Sequence, residues 1–158
     1  MKMNIEKLKK KDYQEMKNIF LEVFSHEPWF DKWEDEKQLN SYLHELTDNN
    51  NSLSLVLLDE QNKIVGASLG YTFSWWQGDE YYIKEFFIKR ERQNQGLGSR
   101  FIKKLNDYLK EIEFKYIILN TDKDTPAYHF YQKNRHFGTG PQWLSVWKRK
   151  ISFILKLR

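Results

Sequence analysis

Two of the seven glycines in this chain of 158 residues fall in the segment Gln93-x-x-Gly96-x-Gly98. The apolar run Phe86-Phe87-Ile88 precedes it and the helix-like stretch FIKKLNDYL follows. A glycine-rich turn feeding a helix N-terminus presents several backbone N–H groups to an anion, with the positive end of the helix dipole behind them. The segment lacks the Gly-Lys-Ser/Thr ending of a Walker loop and the third glycine of a dinucleotide fingerprint, because Phe101 stands there. Its chemistry is therefore anion capture beside a buried strand.

Other patterns lead elsewhere. Gly66-Ala67-Ser68-Leu69-Gly70 spells the G-x-S-x-G of a nucleophile elbow, but YTFSWW follows and continues as strand, where an elbow needs a sharp turn and a helix. It reads as a strand interior. The four histidines are scattered, none at metal-ligand spacing, so no metal is expected. There is no cysteine, which excludes disulfides, thiolate metal sites and a thiol nucleophile.

The elements that must position the glycine loop follow from periodicity. MNIEKLK predicts a first strand, and Asp12 with Glu15 resembles a capping box for a helix running to about Ser25. Leu39, Tyr42, Leu43 and Leu46 mark a second helix. SLSLVLL, KIVGASLGYTFSWW and Tyr81 to Ile88 predict three strands. Beyond the loop, Leu97, Phe101, Leu105, Tyr108, Leu109 and Ile112 form one helical stripe, with Arg100, Lys103, Lys104 and Lys110 largely off it. YIIL is a fifth strand, Thr125-Pro126 opens a short helix, and a last strand starts from about Trp143. The alternation of Ile151, Phe153 and Leu155 also favours strand. The order predicts a single α/β domain over residues 1–158, a mixed central sheet of six to seven strands flanked by about four helices.

With Asp124-Thr-Pro-Ala127-Tyr-His-Phe130-Tyr131-Gln-Lys133 lying downstream of the glycine loop, the sequence resembles the GNAT superfamily of N-acetyltransferases. Gln93, Gly96 and Gly98 occupy the family's motif A. Ala127, Phe130, Tyr131 and Lys133 occupy its motif B, where Asp124 replaces the frequent Asn. The resemblance implies a GNAT-like fold with acetyl-CoA as cosubstrate. Its pyrophosphate would lie on the backbone of Gln93, Asn94, Gln95, Gly96, Leu97, Gly98 and Ser99, with Arg100 among the cations nearby and Asp124 and Ala127 on the facing helix. Its pantetheine arm would pair with Phe86, Phe87 and Ile88, and an N–H near Phe87 would hold the oxyanion. The resemblance also implies direct transfer to an amine, with Tyr131 protonating the departing thiolate.

An alkylamine of pKa near 10.4 is neutral in about one molecule in 2,500 at pH 7, roughly 4.6 kcal/mol uphill. A carboxylate at the attack point helps remove that proton. Glu85 is the first candidate and Glu80 the second, with Lys84 and Glu85 expected on opposite faces of the strand. In this family the acceptor pocket comes largely from the first two helices and their loop. Here that loop is HEPWFDKWEDE, supplying Glu27, Trp29, Phe30 and Trp33, with Trp75 and Trp76 on the neighbouring strand. Aromatic faces with carboxylates suit a small cationic amine.

Two other functions compete with this one: an acyl-CoA-sensing module without turnover, and a protein-lysine or N-terminal acetyltransferase. The net charge of +4 and the basic tail would suit nucleic acid, but no such motif is present and 22 acidic residues offset 26 basic ones. No nucleic-acid or membrane partner is expected. No apolar run approaches the roughly 18 residues of a membrane span. The basic N-terminal segment lacks an apolar signal region, so a cytoplasmic location is expected. Homodimers are common among proteins of this kind.

Overall fold

Apolar residues on both faces of Leu53 to Leu58 call for cover on two sides, and the fold supplies it. The structure is a computed structural model that describes residues 2–123, 125–134, 145–147 and 150–156. The run lies in β2 (Ser52–Leu58), paired antiparallel with β1 (Asn4–Lys7) and β3 (Ile64–Trp75). Next come β4 (Gly78–Ile88), antiparallel to β3, and β5 (Tyr116–Asp122), parallel to β4. These five stand side by side in chain order. A C-terminal pair, β6 (Ser145–Trp147) and β7 (Lys150–Lys156), completes the order β1-β2-β3-β4-β5-β7-β6. The sheet is mixed, with β4 and β5 the parallel pair.

Helices α1 (Tyr13–Phe24) and α2 (Glu36–Thr47) cover one face. Met16, Phe20, Leu39 and Leu43 meet Val56, Ala67, Leu69 and Phe87 there. Helices α3 (Leu97–Glu111) and α4 (Pro126–Lys133) cover the other. Ile102, Leu105 and Leu109 pack on Leu53, Leu55, Tyr81, Ile83 and Ile117, with Phe130 and Tyr131 at the margin. Each large apolar side chain so buried contributes about 1.5–3 kcal/mol.

Three local expectations change. Asp12 makes no side-chain cap, because Lys10–Asp12 form a 3-10 turn that leads straight into α1. Asp35 caps α2 instead, accepting from the Lys37 N–H at 2.8 Å. The single last strand from Trp143 is two strands, with β7 inserted between β5 and β6. The reading of Gly66 to Gly70 as strand interior holds. Ser68 is fully buried in β3, its Oγ 2.9 Å from the Tyr81 hydroxyl, which itself donates to the Leu53 carbonyl at 3.1 Å.

Candidate active site

The site begins where two strands part. β4 pairs with β5 only from Glu80 to Ile83, while β5 runs on with β7 to Asp122 and β4 runs on with β3 to Ile88. The last five residues of β4 therefore have no partner on the β5 side. The Lys89 N–H donates to the Val65 carbonyl at 2.9 Å. In an antiparallel ladder hydrogen-bonded pairs alternate, so Phe87 is turned to Ala67, whereas Phe86 and Ile88 turn their backbone groups into the gap. The N–H offered to a ligand is thus that of Phe86 or Ile88 rather than Phe87.

The register of β3 and β4 shifts by one residue at Lys84, where Leu69 faces Glu85 and Gly70 faces Ile83. This β-bulge puts Ile83 and Glu85, two residues apart, on opposite faces of the sheet. It turns Glu85 towards α2, where the Tyr42 hydroxyl donates to its carboxylate.

The glycine loop sits at the open end of the gap. Gln93 donates from its side-chain amide to the Ile88 carbonyl at 2.9 Å, tying the loop to β4. Gly96 caps α3 in the left-handed region, φ 74°, where a side chain would be strained. The first helical hydrogen bond runs from Arg100 N–H to the Gly96 carbonyl at 3.1 Å. The N–H groups of Leu97, Gly98 and Ser99 consequently have no acceptor within the helix. A Cβ on Gly98 would lie 2.9 Å from the Phe130 ring, so this glycine also lets α4 close against α3. Thr125 fixes the start of α4, its hydroxyl accepting from the Tyr128 N–H at 3.1 Å.

Strand gap, loop and α4 enclose a cleft of about 520 Å³. Of the residues singled out in sequence, Phe86, Phe87, Ile88, Gln93, Asn94, Gly96, Leu97, Gly98, Ser99, Ala127, Tyr131 and Trp29 line it. Gln95 and Arg100 are exposed beside it, and Asp124 lies outside the described residues. Val23, Phe24, Pro28, Pro126, Phe130 and Lys133 line it too. In the sequence, the spacing of Val23 and Phe24 makes them indistinguishable from core.

Tyr131 is half-buried, its ring 6.3 Å from Phe86 and 5.2 Å from Phe130. Its hydroxyl makes no hydrogen bond with the described residues. Burial, and then the charge of Glu85, push its pKa up, so the phenol keeps its proton at neutral pH. Glu85 lies on the far side of β4 from α3. Burial raises its pKa and Asp31 adds to this, against the opposing Tyr42 hydrogen bond and Lys84 charge. Glu80 is set in the closed part of the sheet, opposite Tyr116.

The acceptor candidates divide. Trp29 reaches the cleft and packs on Phe24 at 5.8 Å. Trp33 stacks on Tyr42 at 5.3 Å, with its ring N–H buried and unpaired among the described residues. Glu27 and Phe30 are exposed on the loop. Trp75 and Trp76 stand at the tip of the β3–β4 hairpin, 52% and 79% exposed, away from the cleft. Among the described residues, no group of three His, Cys, Asp or Glu side chains could hold a metal ion, and no helix is long and apolar enough to cross a membrane.

Comparison with known proteins bears on the fold and the family. A spermidine N-acetyltransferase from Vibrio cholerae, solved with CoA and spermine, superposes with a TM-score of 0.70 at 16% identity, covering 98% of this chain and 95% of that one. An aminoglycoside acetyltransferase from an uncultured soil metagenomic sample, in complex with sisomicin, gives 0.65 at 24% identity over 92% and 95%. At such identities the likeness is one of fold. A thialysine N-epsilon-acetyltransferase of Bos taurus is 40% identical over 43 residues, 27% of this chain and 25% of that protein. The model of the acetyltransferase (GNAT) family matches residues 13–137. Covered by it over most of its length, the chain belongs to the GNAT family of acetyltransferases.

Proposed function

We propose that the chain transfers an acetyl group from acetyl-CoA directly to a primary amine of a small cationic molecule. The observation that carries this reading is the parting of β4 from β5 beside the free N–H groups of α3. The residues there fit the cosubstrate. Gly96 has no atom within 4 Å of where a Cβ would stand, and Leu97, Gly98 and Ser99 offer N–H groups to phosphate. Phe86 and Ile88 offer the edge of a strand to an extended, amide-bearing arm. Lys133 adds a cation at the rim. Bound there, acetyl-CoA supplies an activated acetyl thioester.

The chain's own groups divide the remaining work. The N–H of Phe86 or Ile88, aimed into the gap, stabilises negative charge on a carbonyl oxygen. Glu85, its pKa raised towards that of its task, takes the proton released by the ammonium, directly or through water. Tyr131 holds a proton at its hydroxyl for the departing thiolate. Trp29, Asp31 and Glu85 favour an acceptor bearing positive charge.

The test is thiol release from acetyl-CoA with a panel of spermidine, an aminoglycoside, thialysine and a lysine-bearing peptide. Release that depends on a small amine is the expected result. Calorimetric binding of acetyl-CoA with no release for any amine would overturn the reading.

A further inference from the structure

We infer that Tyr42 of α2 is a positioning residue, holding the Glu85 carboxylate on the acceptor side of the splayed strand. This rests on the reading of Glu85 as the proton acceptor.

The geometry is specific. Tyr42 stands 43 residues from Glu85 in the chain, and its hydroxyl donates to Oε1. The other carboxylate oxygen has no partner among the described residues, so it is the one left to take a proton. The Tyr42 ring is clamped by Trp33, stacked at 5.3 Å, and by Phe20 at 6.2 Å. A clamped ring presents its hydroxyl at a fixed point, which removes rotamer freedom from the glutamate it meets. Burial and the adjacent Glu85 charge push the Tyr42 pKa up, so the phenol stays a donor across the working pH range.

The remaining charged and titratable neighbours do not replace Tyr42. Lys84 on the same strand and Asp31 on the α1–α2 loop act on Glu85 with opposite signs. Tyr131 senses Glu85 from α4, and Tyr71 of β3 acts on Tyr42. Tyr42 is the group that hydrogen-bonds the carboxylate. It follows that α2, which contributes nothing to the cleft lining, governs proton removal through one phenol.

Tyr42→Phe keeps the ring in its clamp and removes the bond to the ionised carboxylate. Losing such a bond raises the carboxyl pKa, so the acid limb of the kcat/KM profile should move up by about one pH unit. On that limb the rate should fall about tenfold. Acetyl-CoA affinity should stay unchanged, and the change should be nearly absent in a Glu85→Gln background. Glu85→Asp, which withdraws the carboxylate from Tyr42 without touching the aromatic cluster, should move the limb the same way. A direct readout in the free protein is the carbon-13 titration of the Glu85 carboxyl, assigned by its loss in Glu85→Gln. If Glu85→Gln leaves activity intact, the proton-acceptor reading fails. If Glu85→Gln is damaging but neither Tyr42→Phe nor Glu85→Asp moves the limb or the titration, the positioning role is overturned.

Discussion

Gly98→Ala tests whether loop and cleft are one structure. The added methyl would sit 2.9 Å from Cε2 and 3.1 Å from Cζ of Phe130. Carbon atoms rest at about 3.5–4.0 Å, so the ring must retreat by roughly 0.5–1 Å. It has little room, being stacked 5.9 Å from Phe86 and set edge-on to Tyr131 at 5.2 Å. Overpacking of this kind costs about 1–3 kcal/mol. At about 2–4 °C per kcal/mol for a chain of this size, Tm should drop by about 2–12 °C. Because Phe130 leans on Tyr131, kcat should fall with it, and acetyl-CoA should bind more weakly where the methyl narrows the cradle. Gly96→Ala is the control. It meets open space at φ 74° and should cost about 1–2 kcal/mol of backbone strain with no ring displaced, leaving kcat near wild type. Thermal unfolding, calorimetry and steady-state rates on both variants decide it. A Gly98→Ala protein with wild-type Tm, affinity and kcat would refute the reasoning.

Tyr131→Phe keeps the ring contacts and should lower kcat by about 10²–10⁴-fold with acetyl-CoA affinity unchanged, read by steady-state kinetics and calorimetry. Gln93→Ala frees the Ile88 carbonyl and should cost about 1 kcal/mol in urea unfolding while weakening acetyl-CoA. Asp59 has its pKa lowered, chiefly by the Lys63 N–H at 3.0 Å. With the folded value below the unfolded one, its contribution is present above the ordinary carboxylate range and lost as pH falls through the folded value. Asp59→Asn should therefore be less stable than wild type at pH 7, and the gap should narrow as pH falls below the ordinary carboxylate range.

The glycine loop and the opening of α4 were legible because they depend on local rules. Left-handed backbone favours glycine, and Thr125-Pro126 is a helix start that few other residues could write. Strand positions followed from alternation. What was not legible depends on contacts across the chain. Where β4 leaves β5 is decided by which neighbour each strand keeps, and four paired residues look like any others in sequence. Tyr42 shares its helical stripe with Leu39, Leu43 and Leu46, so nothing local marks its hydroxyl as a partner of Glu85. The loop tryptophans read alike, yet Trp29 enters the cleft, Trp33 joins the core and Trp76 faces solvent. Gly98 was expected to be small for a phosphate, and the structure gives it a second neighbour in Phe130. The expectation at Asp124 lies outside the described residues.

The bulge at Lys84 makes β4 sensitive to counting rather than to chemistry. Upstream, Tyr81 and Ile83 face α3; downstream, Glu85 and Phe87 face α1 and α2, although all four positions are odd. One surplus residue has inverted the phase of everything after it. The Lys84 side chain is exposed, so most replacements there should pass unnoticed. Ironing the bulge out with every residue kept would drive the Glu85 carboxylate into the apolar layer beneath Phe101 and turn Phe86 out towards the acceptor side. Loss of the Lys84 codon would do the opposite, joining the Ile83–Gly70 and Glu85–Leu69 pairs into an even ladder with Glu85 and Phe87 still facing α1 and α2. An in-frame deletion of one surface lysine would thus straighten the strand and keep both of the faces on which the reaction depends.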